Sequence, residues 1–139
     1  SNISIDNAVY EDTTDNIIHN SFDFSRINFI DKLTLRVVFT NTLPFDILAN
    51  LNFLNTETSE RISINFNETN IPGCYNGQPV ISQPIYIEIS AEDAKKIIKA
   101  DKIIQSYTID TRNNDVELTK SQYIKANIGA KIKYSEIEL

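Results

Sequence analysis

Apolar and polar residues alternate along most of this chain with a period of two residues. This period is typical of β-strands that bury one face. Two of the alternating stretches are residues 33–40 and 47–53, whose apolar positions are Leu33, Leu35, Val37, Phe39, Ile47, Ala49, Leu51 and Phe53. The same pattern predicts five further strands, at ERISINF (60–66), PIYIEIS (84–90), KIIQSYTID (102–110), DVELT (115–119) and YIKANIGAKIKY (123–134).

Less regular patterns predict two more strands, at residues 3–9 and in FDFSRINF (22–29). Near residues 134–137 the alternation loses its phase, which indicates a β-bulge that bends the last strand. Residues rich in turn formers predict four loops, at 11–16, 55–60, 67–79 and 111–115. In the last of these, Asn113 and Asn114 suit the positive φ angles of a tight hairpin.

One segment alone has the pattern of a helix, near residues 91–100. The hydroxyl of Ser90 can cap its first turn, and Ala94, Ile97 and Ile98 fall on one side. We interpret this segment as a short crossover that covers an open end of a sheet. Many strands with one short helix, and no alternation of strands and helices, favour an antiparallel β-sandwich of about seven to nine strands.

The segment NTLPF (41–45) interrupts the alternation and allows two interpretations. Pro44 cannot donate a backbone hydrogen bond and forces Leu43 into an extended conformation, so strand pairing must stop here. If the segment is a structural corner, Leu43 and Phe45 are tucked beneath the bend and Asn41 holds it closed. If it is a recognition loop, both apolar side chains are exposed. We favour the corner.

Composition and charge set broad limits on the chain. Its 139 residues fit one domain over 1–139, in which residues 1–20 are either part of the sandwich or a loosely attached segment. No apolar run approaches the roughly 18 residues needed to cross a bilayer. The net charge of −6 opposes nucleic acid and anionic membrane surfaces.

Reactive side chains are few. His19 is the only histidine and lies in a polar stretch without a glycine elbow, so we expect an exposed loop residue. Cys74 is the only cysteine, and its loop has no adjacent Lys or Arg to lower the thiol pKa. We predict no catalytic, cofactor-binding or metal-binding residues.

Two sets of oxygen-bearing residues could hold calcium: Glu11, Asp12 and Asp15, or Asp110, Asn113, Asn114 and Asp115. Neither has the ligand spacing of a dedicated calcium loop, so solvated turns are the better interpretation. Several tyrosines could stack on sugar rings, although tyrosines in a sandwich more often pack in its body. These are Tyr75 beside Asn76, and Tyr107, Tyr123 and Tyr134.

From about residue 30 onward, the order of features resembles the immunoglobulin-like sandwich domains of uncharacterised Bacteroidetes surface lipoproteins. The resemblance rests on NTLPF, NFLN, PIYIEIS, AEDAKKIIKADKI and IIQSYTIDT in that order. A lesser similarity is to late-embryogenesis-abundant domains of the water-stress type, whose tighter Asn-Pro motif is not matched. The resemblance implies an immunoglobulin-like sandwich, exported and anchored by a lipid on an upstream cysteine. Asp12-Thr13-Thr14 also resembles an O-glycosylation acceptor of that phylum.

These observations predict a non-catalytic module of the cell surface or periplasm that acts as a spacer or a protein-interaction scaffold. The alternative is a carbohydrate-binding module of a glycan-uptake system. The expected partner is therefore a protein or a glycan and not a nucleic acid, and no cofactor is expected. Membrane association would occur only through the upstream lipid.

Overall fold

The alternating strands form an antiparallel β-sandwich, as predicted. A computed structural model describes residues 2–4, 7–110, 115–117 and 121–135, with side-chain surroundings for residues 9–64, 66, 70–109 and 121–135. The described strands are β1 (Asn2–Ser4), β2 (Asn7–Asp15), β3 (Ile30–Asn41), β4 (Ile47–Leu54), β5 (Arg61–Ile71), β6 (Val80–Ile81), β7 (Ile85–Ser90), β8 (Lys102–Asp110), β9 (Asp115–Glu117) and β10 (Ile124–Tyr134). Between them lie α1 (Ile17–Ser21), a 3₁₀-helix (Phe24–Phe29) and α2 (Ala91–Lys99).

The two packed sheets differ in width. The first has the strand order β2-β8-β4-β5, and in the second β3 lies between β10 and the pair β6 and β7. β6 pairs with Thr40 and Asn41, whereas β7 pairs with residues 32–37 of the same strand, so β6 and β7 lie end to end. Pro84 lies in the gap between them. The first sheet is therefore four strands wide and the second is three. A separate ribbon pairs β1 with β9.

The central strands β3, β4 and β8 supply most of the core. Their predicted inward positions are buried, which confirms the register read from the sequence. Burying one such aliphatic or aromatic side chain contributes about 1.5–3 kcal/mol. Fully enclosed members include Leu33, Leu35, Val37, Phe39, Leu51, Phe53 and Tyr107.

Helix α2 has the predicted position and cap. Ser90 Oγ accepts a hydrogen bond from the N–H of Asp93 at 3.4 Å, and Ala94, Ile97 and Ile98 are buried. The helix packs on β3, β5 and β7. It therefore covers the side of the sandwich where β5 and β7 are the edge strands.

The segment between β2 and β3 differs from the prediction. Residues 22–29 are not a strand, because Asp23 caps a 3₁₀-helix by accepting hydrogen bonds from the N–H and hydroxyl of Ser25. The short helix α1 is not predicted by the pattern either, and Asn16 caps it through the N–H of Ile18. Local capping by polar side chains here overrides a strand-like apolar pattern.

Two predicted loops are partly wrong. Residues 11–15 belong to β2, which pairs with β8 from Asn7 to Asp15, and β5 continues to Ile71 instead of ending near residue 66. The bulge in the last strand is confirmed, as the register of β10 against β3 shifts between Lys133 and Tyr134. The predicted hairpin residues 111–114 lie outside the described part of the chain.

Polar contacts attach the segments that flank α2. The buried amide of Asn16 donates to the carbonyls of Ile97 at 2.9 Å and Ala100 at 2.8 Å. Asp101 accepts from the backbone N–H and the hydroxyl of Thr56, and these bonds lower the pKa of its carboxyl group. Hydrogen bonds therefore connect both the β4–β5 turn and the C-terminal end of β2 to the C-terminal end of α2.

Candidate functional site

Within the described residues no strand covers the inner face of β2, because the first sheet is one strand wider than the second. Tyr10, Asp12 and Thr14 lie directly opposite Tyr107, Gln105 and Ile103 in the β2–β8 register, so each pair of side chains shares one face. The three residues on β8 are buried, whereas the three on β2 are exposed. We call this inner face of β2, together with the free edge of β10, the open side of the sandwich.

Two cavities lie along the open side. One, of about 330 Å³, is bounded by Thr14 on β2, Gln105 on β8 and Ala126 on β10. The other, of about 230 Å³, lies between Tyr10 and Tyr123, with Ile109 and Ile124 behind them. The inward residues of β10 that border the open side, Ile124, Ala126 and Ile128, are only half-buried. The apolar side chains of β10 therefore face the polar and aromatic side chains of β2 across the two cavities.

A buried phenol and amide lie behind the inner face of β2. Tyr107 is fully buried, and its hydroxyl donates to Gln105 Oε1 at 2.7 Å. Burial raises the pKa of Tyr107 well above its usual value, and the nearby charge of Asp12 and the phenol of Tyr10 add to the shift. The phenol is therefore protonated at neutral pH and acts as a fixed hydrogen-bond donor.

Gln105 borders the larger cavity and has a donor that no described residue uses. The residue is 8% exposed, and within the described residues nothing accepts a hydrogen bond from its Nε2. The carboxylate of Asp12 lies directly across the strand pair. Leaving a buried donor without a partner costs about 1–3 kcal/mol, so the amide favours an acceptor atom in the cavity. The open side thus offers one donor and one acceptor side by side.

The NTLPF segment is a structural corner, as the sequence favoured. Leu43 is 8% exposed and Phe45 4%, and the fully buried Asn41 makes three hydrogen bonds beneath them. Asn41 Oδ1 accepts from the N–H of Leu43 at 2.9 Å, and Nδ2 donates to the carbonyls of Phe45 at 2.8 Å and Pro72 at 3.0 Å. The corner is therefore bonded to the loop that follows β5.

That loop is packed against the corner at one glycine. A Cβ atom on Gly73 would lie 2.7 Å from the backbone nitrogen and carbonyl carbon of Phe45. Asp46 accepts from the N–H of Gly73 at 2.8 Å and from the hydroxyl of Tyr75 at 2.7 Å. The N–H of Cys74 donates to the carbonyl of Leu43 at 2.7 Å.

Neither residue weighed for nucleophilic catalysis borders the open side. The expectation of an exposed loop histidine is wrong: His19 lies on α1, is half-buried, and its Nδ1–H donates to the carbonyl of Ile98 at 2.8 Å. Cys74 is half-buried in the loop beside the corner. Both therefore have positions that packing and backbone bonding explain.

The calcium candidates do not come together in the described residues. On β2, Glu11 and Asp12 point to opposite faces by strand alternation, and Asp15 forms an ion pair with Lys102. No group of three His, Cys, Asp or Glu side chains suited to a metal ion occurs among the side chains that are described. Those of Asp110, Asn113, Asn114 and Asp115 lie outside them.

The tyrosine candidates occupy separate places. Tyr75 bonds to Asp46, Tyr107 is in the core, and Arg26 stacks 4.0 Å above the ring of Tyr134. Tyr123 alone of the four borders the open side, where its partner across the cavity is Tyr10.

Tyr10 and Gln105 are site residues that the sequence pattern does not identify. The inner face of a strand that no described strand covers is polar, so residues 11–16 carry no apolar alternation and their pattern predicts a loop. The absence of glycine and proline from residues 7–16 is the signal that could have identified β2.

No family model, curated protein or solved structure matches this chain. None of the helices in the described residues has the length and apolar character needed to cross a bilayer.

The corner predicts a ranking of two substitutions. Phe45→Ala should cost about 3 kcal/mol of unfolding free energy, because it truncates a buried aromatic side chain. Pro44→Ala should cost less than about 1 kcal/mol, because its main effect is on the unfolded chain. Denaturant unfolding of both variants checks the ranking, and a Phe45→Ala protein with wild-type stability would contradict it.

Substitutions at the adjacent residues Gly73 and Cys74, in the loop after β5, should differ strongly in their effect on stability. Gly73→Ala should lower the unfolding free energy by about 3 kcal/mol, because its Cβ would overlap the backbone of Phe45. Cys74→Ser should change the melting temperature little, since the bond from residue 74 to Leu43 uses the backbone. Thermal melts of the two variants test this, and equal losses would show that Cys74 is part of the core.

Proposed function

We propose that this protein is a non-catalytic binding module whose open side receives an extended segment of a partner protein. The single observation that carries the proposal is the inner face of β2, which lies beside the edge of β10 and has no strand opposite it in the part of the chain that the structure describes. Following the resemblance to surface lipoproteins, we assign the module to the cell surface or periplasm, where it acts as a protein-interaction scaffold.

Strand addition suits this geometry. An edge strand has unpaired N–H and C=O groups, and an extended peptide can pair with them about 4.8 Å away. A peptide strand beside β10 would cover the half-buried Ile124, Ala126 and Ile128 with one face. Its inward side chains would also face Tyr10, Asp12 and Gln105 on the other sheet, where the acceptor of Asp12 and the donor of Gln105 suit polar side chains on the peptide. Main-chain pairing would supply affinity, and the two cavities would select side chains.

A carbohydrate-binding module is the second candidate, and the smaller cavity favours it. Tyr10 and Tyr123 flank that cavity and are 53% and 48% exposed, and exposed aromatic rings suit stacking on a sugar. The Asp12 carboxylate and the Gln105 amide would then bond to sugar hydroxyls. This candidate differs from the first because it depends on the aromatic rings and makes no use of the edge of β10.

Selection from a displayed library of peptides about 10 residues long, matched to a strand, tests the first candidate. Peptides that bind the wild-type protein should lose at least about tenfold in affinity with Ala126→Arg, which fills the larger cavity. Ile81→Arg is the matched control, because Ile81 is 67% exposed on the opposite edge of the same sheet. Melting curves establish that both variants are folded.

The outcome distinguishes the two candidates. If Ala126→Arg and Ile81→Arg weaken binding equally, the open side is not the binding site. If the wild-type protein selects no peptide but binds on a glycan array, and Tyr10→Ala removes that binding, the carbohydrate candidate replaces the first.

A further inference from the structure

The outer face of the second sheet concentrates positive charge, although the chain as a whole is acidic. Strand alternation directs Lys32 and Arg36 of β3 outward, together with three lysines of β10, Lys125, Lys131 and Lys133. Lys133 lies directly opposite Lys32, and Arg36 lies opposite Gly129, which has no side chain to cover it. We call these five residues the basic stripe.

Little of this charge is neutralised within the described residues. Lys32 pairs with Glu88 at 3.0 Å and Lys133 with Asp31 at 3.8 Å, and all four side chains are well exposed. No described carboxylate lies within ion-pair distance of Arg36, Lys125 or Lys131. The five cations of the stripe and the two acids Asp31 and Glu88 sum to a charge of +3. Because the whole chain has a net charge of −6, the charges of all its other side chains sum to −9.

One end of the stripe is concave. A depression of about 330 Å³ lies among Lys32, Thr34, Lys131 and Lys133. Three lysines and a threonine therefore line a space large enough for a carboxylate or sulfate group. Ammonium groups donate strongly to such anions, and the threonine hydroxyl can donate as well.

We propose that the basic stripe binds a linear anionic polysaccharide, with one acidic group in the depression. From Lys125 to Lys133 the stripe is about 26 Å long, at roughly 3.3 Å per residue, and it spans two strands about 4.8 Å apart. Those dimensions match a single extended chain. Thr34, Thr40 and Asn127 lie on the same face between the cations, where they can bond to sugar hydroxyls.

Other polyanions fit less well. A membrane or a nucleic acid duplex would extend beyond the stripe and over the acidic remainder of the surface, where it would be repelled. Single-stranded nucleic acid is bound through rows of stacking aromatic side chains. The described outer face has one, Tyr86, opposite Arg36. This site is separate from the open side, so its test is independent of the function proposed above.

Binding to heparin and to polygalacturonate, measured by titration calorimetry at about 0.15 M salt, tests the proposal. Neutral dextran is the ligand control. Lys131→Gln combined with Lys133→Gln should weaken binding of the acidic chains roughly 25-fold, at about fivefold for each lysine lost. Lys95→Gln combined with Lys99→Gln makes the same change of charge on α2 and should leave affinity within about twofold.

Several results would overturn the proposal. One is a wild-type protein that binds neither acidic polysaccharide, and another is an equal loss of affinity in the two double variants. Tighter binding to anionic lipid vesicles or to an oligothymidylate than to either polysaccharide would assign the stripe to a different partner. A shallower dependence of affinity on salt in Lys131→Gln/Lys133→Gln, with no such change in the α2 variant, would support direct contact.

Discussion

The buried amide of Asn41 is the interaction on which the relation between the two sheets depends. Its three hydrogen bonds join the end of β3, the segment just before β4 and the loop after β5, at the point where the chain leaves one sheet for the other. Each of these backbone groups would cost about 1–3 kcal/mol if it were buried without a partner. Gly73 makes the arrangement possible, because any side chain there would overlap Phe45. Asn16 has a similar role where β2 meets the end of α2.

The corner also determines which surfaces remain open. β3 and β4 are inner strands of different sheets, so the position of one over the other decides which edge strands are covered. Helix α2 covers the side with β5 and β7, and among the described strands none lies opposite the inner face of β2. The open side and the basic stripe lie on different faces of the same sandwich, the first with a buried donor and the second with clustered charge.

The sequence predicts the parts of this fold in which apolar burial and strand alternation agree. Strand alternation predicts the inward faces of β3, β4 and β8 and the bulge near Tyr134. Helical spacing of apolar residues predicts α2, and Pro44 predicts the corner. Three features depend on tertiary context and are not predicted. The inner face of β2 is polar, and no described strand covers it. The 3₁₀-helix forms because Asp23 caps it. His19 is hydrogen-bonded to Ile98 of α2, a helix that is far from it in the sequence. The basic stripe is not predicted for another reason, because the net charge of the chain does not indicate which face of a strand each lysine occupies.

Replacing Asn41 by an isosteric residue tests most directly whether hydrogen bonding holds the corner. In Asn41→Asp the bond from the N–H of Leu43 is kept, but carboxylate oxygen faces the carbonyls of Phe45 and Pro72 with no proton to offer. Urea unfolding at neutral pH should show a loss of roughly 3 kcal/mol. The control Asn76→Asp, at an exposed loop residue, should stay within about 0.5 kcal/mol of the wild-type protein. If Asn41→Asp unfolds with the wild-type free energy, the packing of Leu43 and Phe45 alone holds the corner, and the central role of the Asn41 amide is contradicted.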